Sequence, residues 1–194
     1  MKPPDPALLR LIEPLRDLAI GGILEVMARE LEADAEVVPE PELRDAAGAV
    51  ARSGPLNLPR RGDLAVTREG RTLIRRIESG PAPIGKSLVA RTSDGFESEI
   101  LPFRWDAAEV MVFAKQEQPS WAPLRRWFLE WFQSRYSEVA PDLYGAIHSL
   151  DGPRQVPGGW AFTIDFGSAP AACVIDLIGA LAASGASRMR IGQN

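Results

Sequence analysis

The chain has 194 residues, 45% of them hydrophobic and 25% charged, with a formal net charge of −4 and a pI near 5.2. That composition excludes a disordered chain and supplies apolar side chains for a sizeable core. It also excludes a global positive field for nucleic acid or anionic lipid, and the single Cys173 excludes an internal disulfide or a multi-cysteine metal site.

Asp5-Pro6 is a helix-start signal, after which Leu8, Leu9, Leu11, Ile12 and Leu15 recur at helical spacing. Pro14 lacks an amide hydrogen and is expected to kink or break this helix, with a second helical stretch running through Leu18, Ile23, Leu24, Met27 and Leu31 to about Ala33. Arg10, Glu13, Arg16 and Asp17 interrupt the apolar run, so neither a signal peptide nor a membrane span is expected. Residues 35 to 63, rich in Pro, Gly and charge, read as a surface connection with one short helical candidate at Glu42 to Arg52. Four strand candidates follow: Leu64 to Arg68, Thr72 to Glu78, Ser87 to Thr92 and Phe96 to Leu101. Asp94-Gly95 is a hairpin signal between the last two.

From Glu109 to Ile191 the apolar period switches in the order strand, helix, strand, strand, helix, strand. Val110 to Lys115 reads as a central strand. Ser120 is expected to cap a helix carrying Leu124, Trp127, Phe128, Trp131, Phe132 and Tyr136, which ends before Pro141. Tyr144 to Leu150 is the next expected strand, Asp151 to Gly158 a connection, and Trp160 to Phe166 the third strand. Ser168 and Pro170 open a helix closing at Gly185, and Arg188 to Ile191 is the last strand. The expected fold class is α+β: N-terminal helices and a small antiparallel sheet over 1–105, then a ferredoxin-like βαββαβ unit over 106–194, packed as one compact body.

Gly80 to Ser87 satisfies G-x-x-x-x-G-K-[ST], the phosphate-binding loop pattern. Pro81 and Pro83 remove amides that a phosphate would need, and the following residues read as a hairpin, so an irregular loop with Lys86 away from any ring of amides is expected. The segment Gly159 to Phe166 resembles the RNP1 strand of RNA-recognition motifs, whose aromatics stack on bases. That register would bury Asp165 and wet four large apolar side chains. The opposite register is cheaper by several kcal/mol, at roughly 1.5–3 per buried side chain. It sends Trp160 and Phe162 under the helices and Thr163 and Asp165 to the other face, and no RNA binding is expected.

His148 is the only histidine, and no cysteine or carboxylate stands near it at ligand spacing, so no metal and no cofactor are expected. Asp165 with Arg188 and Arg190 forms a candidate polar face for an acidic ligand or partner. Trp127 and Trp131 belong to an aromatic excess that either the N-terminal helices or a second copy of the chain must cover. The leading expectation is a non-catalytic binding module of a bacterial cytoplasm, which self-associates or takes a protein partner and binds neither nucleic acid nor membrane. The alternative is a small enzyme with His148 as general acid or base between the two halves.

Overall fold

A computed structural model of the chain describes residues 6–81, 85, 87–91, 95–114, 119–133 and 142–192. The chain is α+β, and no helix among these residues is long and apolar enough to cross a membrane. Lys86, Asp94, Lys115, Tyr136 and Pro141, on which sequence expectations rested, lie outside the described residues.

One helix, α1 (Pro6–Glu32), replaces the two expected stretches and runs through Pro14 unbroken. Its stripe divides between two cores. Leu8, Ile12, Leu15 and Ala19 join the large cluster, whereas Ile20 and Ile23 join a smaller one with Leu64, Val66 and Leu143. Strand β1 (Glu36–Pro39) and the short pair β2 (Arg52–Ser53) and β3 (Leu58–Pro59) follow. No helix forms over 42–52, correcting that expectation. Asp45 Oδ1 instead accepts the amides of Ala47 and Ala49, turning the chain back so that Arg44 bridges Val50.

Strands β4 (Leu64–Arg68) and β5 (Arg71–Arg75) complete a three-stranded sheet in the order β1-β4-β5. The expected extension of β5 to Glu78 does not occur, because the Ile77 amide turns inward to Asp63 Oδ2 at 2.5 Å. The hairpin β6 (Leu88–Arg91) and β7 (Glu97–Ile100) does not join this small sheet. It extends the sheet of the C-terminal half, where β7 pairs in parallel with the last strand.

That sheet contains β8 (Ala108–Ala114), β9 (Ser149–Val156), β10 (Gly159–Asp165) and β11 (Ala186–Ile191), with α2 (Ala122–Phe132) after β8 and α3 (Ala172–Ala183) after β10. The order is β6-β7-β11-β8-β10-β9, and the last three junctions, β11-β8, β8-β10 and β10-β9, are antiparallel. Strand β9 begins five residues later than expected and runs through the supposed connection, because Pro157-Gly158 makes a tight hairpin turn. Its edge position tolerates Pro153. Residues 144–148 are therefore a loop, which decides where His148 lies.

Phe162, Ile164 and Phe166 are buried in the large core, and Trp160 packs half-buried against it, edge-on to Trp121. Trp127 is buried, with its indole N–H donated to the Cys173 carbonyl, and Cys173 is itself core. The aromatic excess is thus shared with the first half of α1 in one cluster. Ser120 does not cap α2 through its side chain. The helix starts at Ala122 with Pro123 in its first turn.

Candidate functional site

The features of this interior are set by four chain segments that meet at His148. Glu40 follows β1 with φ of +45°, a backbone conformation uncommon for a side chain of its size. It is held there by its amide on the Asp63 carbonyl (2.8 Å) and by the Arg61 guanidinium on its own carbonyl (2.7 Å). Asp63 immediately precedes β4. His148 immediately precedes β9, with its amide on the Asp165 carbonyl (3.0 Å) and its carbonyl accepting the Arg61 amide (2.9 Å). Asp165 ends β10, and Ser168 follows in the turn toward α3.

The imidazole is completely buried. Its Nε2–H donates to Glu40 Oε1 at 2.8 Å, and the same oxygen accepts the Ser168 hydroxyl (2.6 Å) and amide (3.2 Å). The Tyr144 amide donates to Glu40 Oε2, and the Gly145 amide donates to the Ser168 hydroxyl oxygen at 2.8 Å. Nδ1 lies 2.9 Å from Asp63 Oδ1 and 3.8 Å from Asp165 Oδ1. Asp63 Oδ1 is close enough for an ion pair but off the N–H direction, and Asp165 Oδ1 is beyond hydrogen-bond reach, so Nδ1 makes no hydrogen bond. The Asp63 side chain is 5% exposed and that of Asp165 12%, so solvent reaches the cluster through Asp165.

Gly167 is the wall of this site. Its φ is +53°, and a Cβ there would stand 2.3 Å from His148 Cδ2 and 2.5 Å from the Ala146 carbonyl oxygen. Its amide donates to Asp165 Oδ1 (3.0 Å), and its carbonyl accepts the Trp105 indole N–H (2.9 Å), which ties the site to the aromatic core.

Burial by itself depresses the imidazole pKa. The charge of Asp165 and the contacts with Asp63 and Glu40 outweigh burial and raise it to about 10. Burial raises the Asp165 carboxyl to about 6, with Asp63 adding to the rise against the pull of His148. Burial also opposes ionisation of Glu40, yet its bonds from His148, Ser168 and Tyr144 bring it below the ordinary carboxylate range. The centre is therefore an imidazolium among carboxylates.

No carboxylate stands near His148 at ligand spacing in the sequence, but the fold brings three to it in space, from 17 to 108 residues away, so the expectation of no metal-competent set of side chains does not follow from spacing. Asp165 does not meet the arginines proposed beside it. Arg188 pairs with Glu99 at 2.6 Å and Glu97 at 3.4 Å, and Arg190 approaches Glu99 at 3.9 Å. Trp131 is half-buried against the core, and its carbonyl accepts the Ile147 amide. Glu40, Asp63 and Ser168 were not singled out from sequence. Ser168 read as a helix opener, but its hydroxyl serves Glu40 instead. The usable signal was the apolar setting of His148 in Ala146-Ile147-His148, because a buried imidazole needs a partner for each nitrogen. No protein-family model, curated protein or solved structure matches the chain.

Proposed function

We propose that the chain is a non-catalytic interaction module of a bacterial cytoplasm, which self-associates through the outer face of its small sheet. The observation that carries this reading is the location of the exposed apolar side chains. Val38 and Ile74 flank Ala65 in register and share the face turned away from α1, where they are 43% and 50% exposed. Leu73, on the open edge strand β5, is also exposed, at 62%, but it stands opposite Val66 and so belongs to the α1-facing side of the sheet. A cleft of about 440 Å³ adjoins Val38, with Tyr144, Glu42, Arg44 and Arg61 on its walls. Exposed apolar side chains that share one face of a sheet mark a candidate interaction site. Its rim carries both charge signs, so two copies related by a two-fold axis can complement each other.

Two further points belong to the proposal. A ferredoxin-like C-terminal unit is supported by the strand order β11-β8-β10-β9, antiparallel throughout, with helices after its first and third strands in sequence. Packing of 1–105 and 106–194 as one body is supported by the β6-β7 hairpin and by the shared core of α1, α2 and α3.

The rival enzyme reading takes support from the carboxylates around His148 but loses it to burial. The imidazole has no exposed surface and holds its proton to about pH 10, so it neither reaches a substrate nor accepts a proton at neutral pH. Sedimentation equilibrium tests the interaction reading. A dimer is expected, with Ile74→Asp giving monomer at unchanged circular dichroism. A wild-type chain that stays monomeric at every concentration reached overturns it.

A further inference from the structure

The His148 centre has one ring nitrogen that the protein leaves without a hydrogen bond. Nδ1 is buried, makes no hydrogen bond, and faces two carboxylates, Asp63 just before β4 and Asp165 at the end of β10. Its opposite nitrogen is fully engaged with Glu40, which in turn is fixed by Ser168 and the Tyr144 amide. Metal-binding histidines have this form, because donation of one ring N–H to a carboxylate sets the tautomer and frees the other nitrogen's lone pair for an ion.

From this arrangement we propose that Asp63, His148 Nδ1 and Asp165 bind one divalent cation of the zinc or manganese class, with Glu40 orienting the imidazole. The three ligand atoms all lie within 4.8 Å of one another. Ligands about 2.0–2.1 Å from a tetrahedral ion stand about 3.3 Å apart, and the observed 2.9 and 3.8 Å from Nδ1 bracket that spacing. One nitrogen and two oxygens suit a borderline or hard dication and exclude soft copper(I), which takes sulfur.

Charge points the same way. Three carboxylates surround one imidazole, and a proton on that imidazole balances one of them. A dication balances two and leaves the third, Glu40, as acceptor for Nε2–H. The Gly167 amide holds the Asp165 carboxylate in position, and Asp165, the most exposed of the three ligands, marks the side from which an ion would enter. This inference is independent of the self-association reading, since the site lies within one chain.

The test uses the full-length protein stripped with a chelator and titrated with Zn²⁺ alone. Calorimetry is expected to give one ion per chain, and Asp165→Asn to weaken binding at least about tenfold. Because His148 is the only histidine, its ring nitrogens are read without ambiguity by ¹⁵N NMR. One equivalent of Zn²⁺ is expected to convert a doubly protonated imidazole to a ring protonated at Nε2 only, with Nδ1 metal-bound. A ring that stays doubly protonated at saturating Zn²⁺, the absence of a stoichiometric site, or affinity unchanged in folded Asp165→Asn overturns the proposal. If Asp165→Asn does not fold, the wild-type ring spectrum decides alone.

Discussion

Phe128 on α2, and Phe162 and Phe166 in the same core, are as inaccessible to water as His148 and Glu40 are in the polar centre. The two regions are held by opposite physics. The aromatic core gains from each apolar side chain withdrawn from water, and its contacts are interchangeable in kind. The His148 centre starts from a large desolvation penalty and persists only because Glu40, Ser168, Tyr144 and Asp63 each supply a fixed partner. One region therefore tolerates substitution by volume, and the other depends on particular atoms.

The largest effect that would separate the two is expected from Glu40→Ala. It leaves a buried imidazole, a hydroxyl and two backbone amides without their acceptor, and urea unfolding should show a loss of about 3–5 kcal/mol. A loss under about 1 kcal/mol would show that the centre behaves like ordinary core.

Gly167→Ala drives a methyl group into the imidazole at a positive φ, and should lose roughly 2–3 kcal/mol by the same assay. An alanine variant as stable as the parent would mean that the ring can move.

The pH dependence sharpens the contrast, since the aromatic rings do not titrate and the one thiol of that core, Cys173, held up by burial, adds only to the alkaline end of the fall. In the metal-free protein the His148 proton is bound more tightly in the folded state, with its pKa raised from 6.5 to about 10. Its stabilisation is complete below the unfolded value and is lost as pH rises through the folded one. Asp165, raised from 3.8 to about 6, contributes in the same sense at lower pH, because its ionisation costs stability above the unfolded value. Thermal melts with chelator present should therefore fall between pH 6.5 and 10, by at most about 1.4 kcal/mol per unit from His148. A melting temperature that rises over that range contradicts the assignment, and added Zn²⁺ should flatten the fall.

The smallest effect belongs to the apolar side. Leu177→Met, at a fully buried position of α3, conserves volume and should cost less than about 1.5 kcal/mol. A larger loss would show that this core is as position-specific as the polar centre.

Local pattern determined much of the architecture. The period-two run from Trp160 to Phe166 carried both strand β10 and its inward face, the helical spacing in 6–32 carried α1, and Leu64 to Arg68 matched β4 residue for residue. These signals are legible because apolar burial repeats with the geometry of each element. What they left out was long-range. Glu40 and Asp63 sit in a Pro- and charge-rich stretch that reads as surface, yet pairing of β1 with β4 carries both inside. No periodicity encodes a carboxylate that meets an imidazole 108 residues away, since the contact depends on two loops and two strand ends converging rather than on any repeat within one element. The hairpin at 88–100 was visible, but its sheet was not, because its parallel pairing with β11 joins segments about 90 residues apart. Sequence alone therefore determined the segments with a clear apolar period, such as α1, β4 and β10, and the faces they bury, but not β1 or β9. Tertiary structure decided that the sole histidine has three acidic neighbours and one nitrogen without a hydrogen bond.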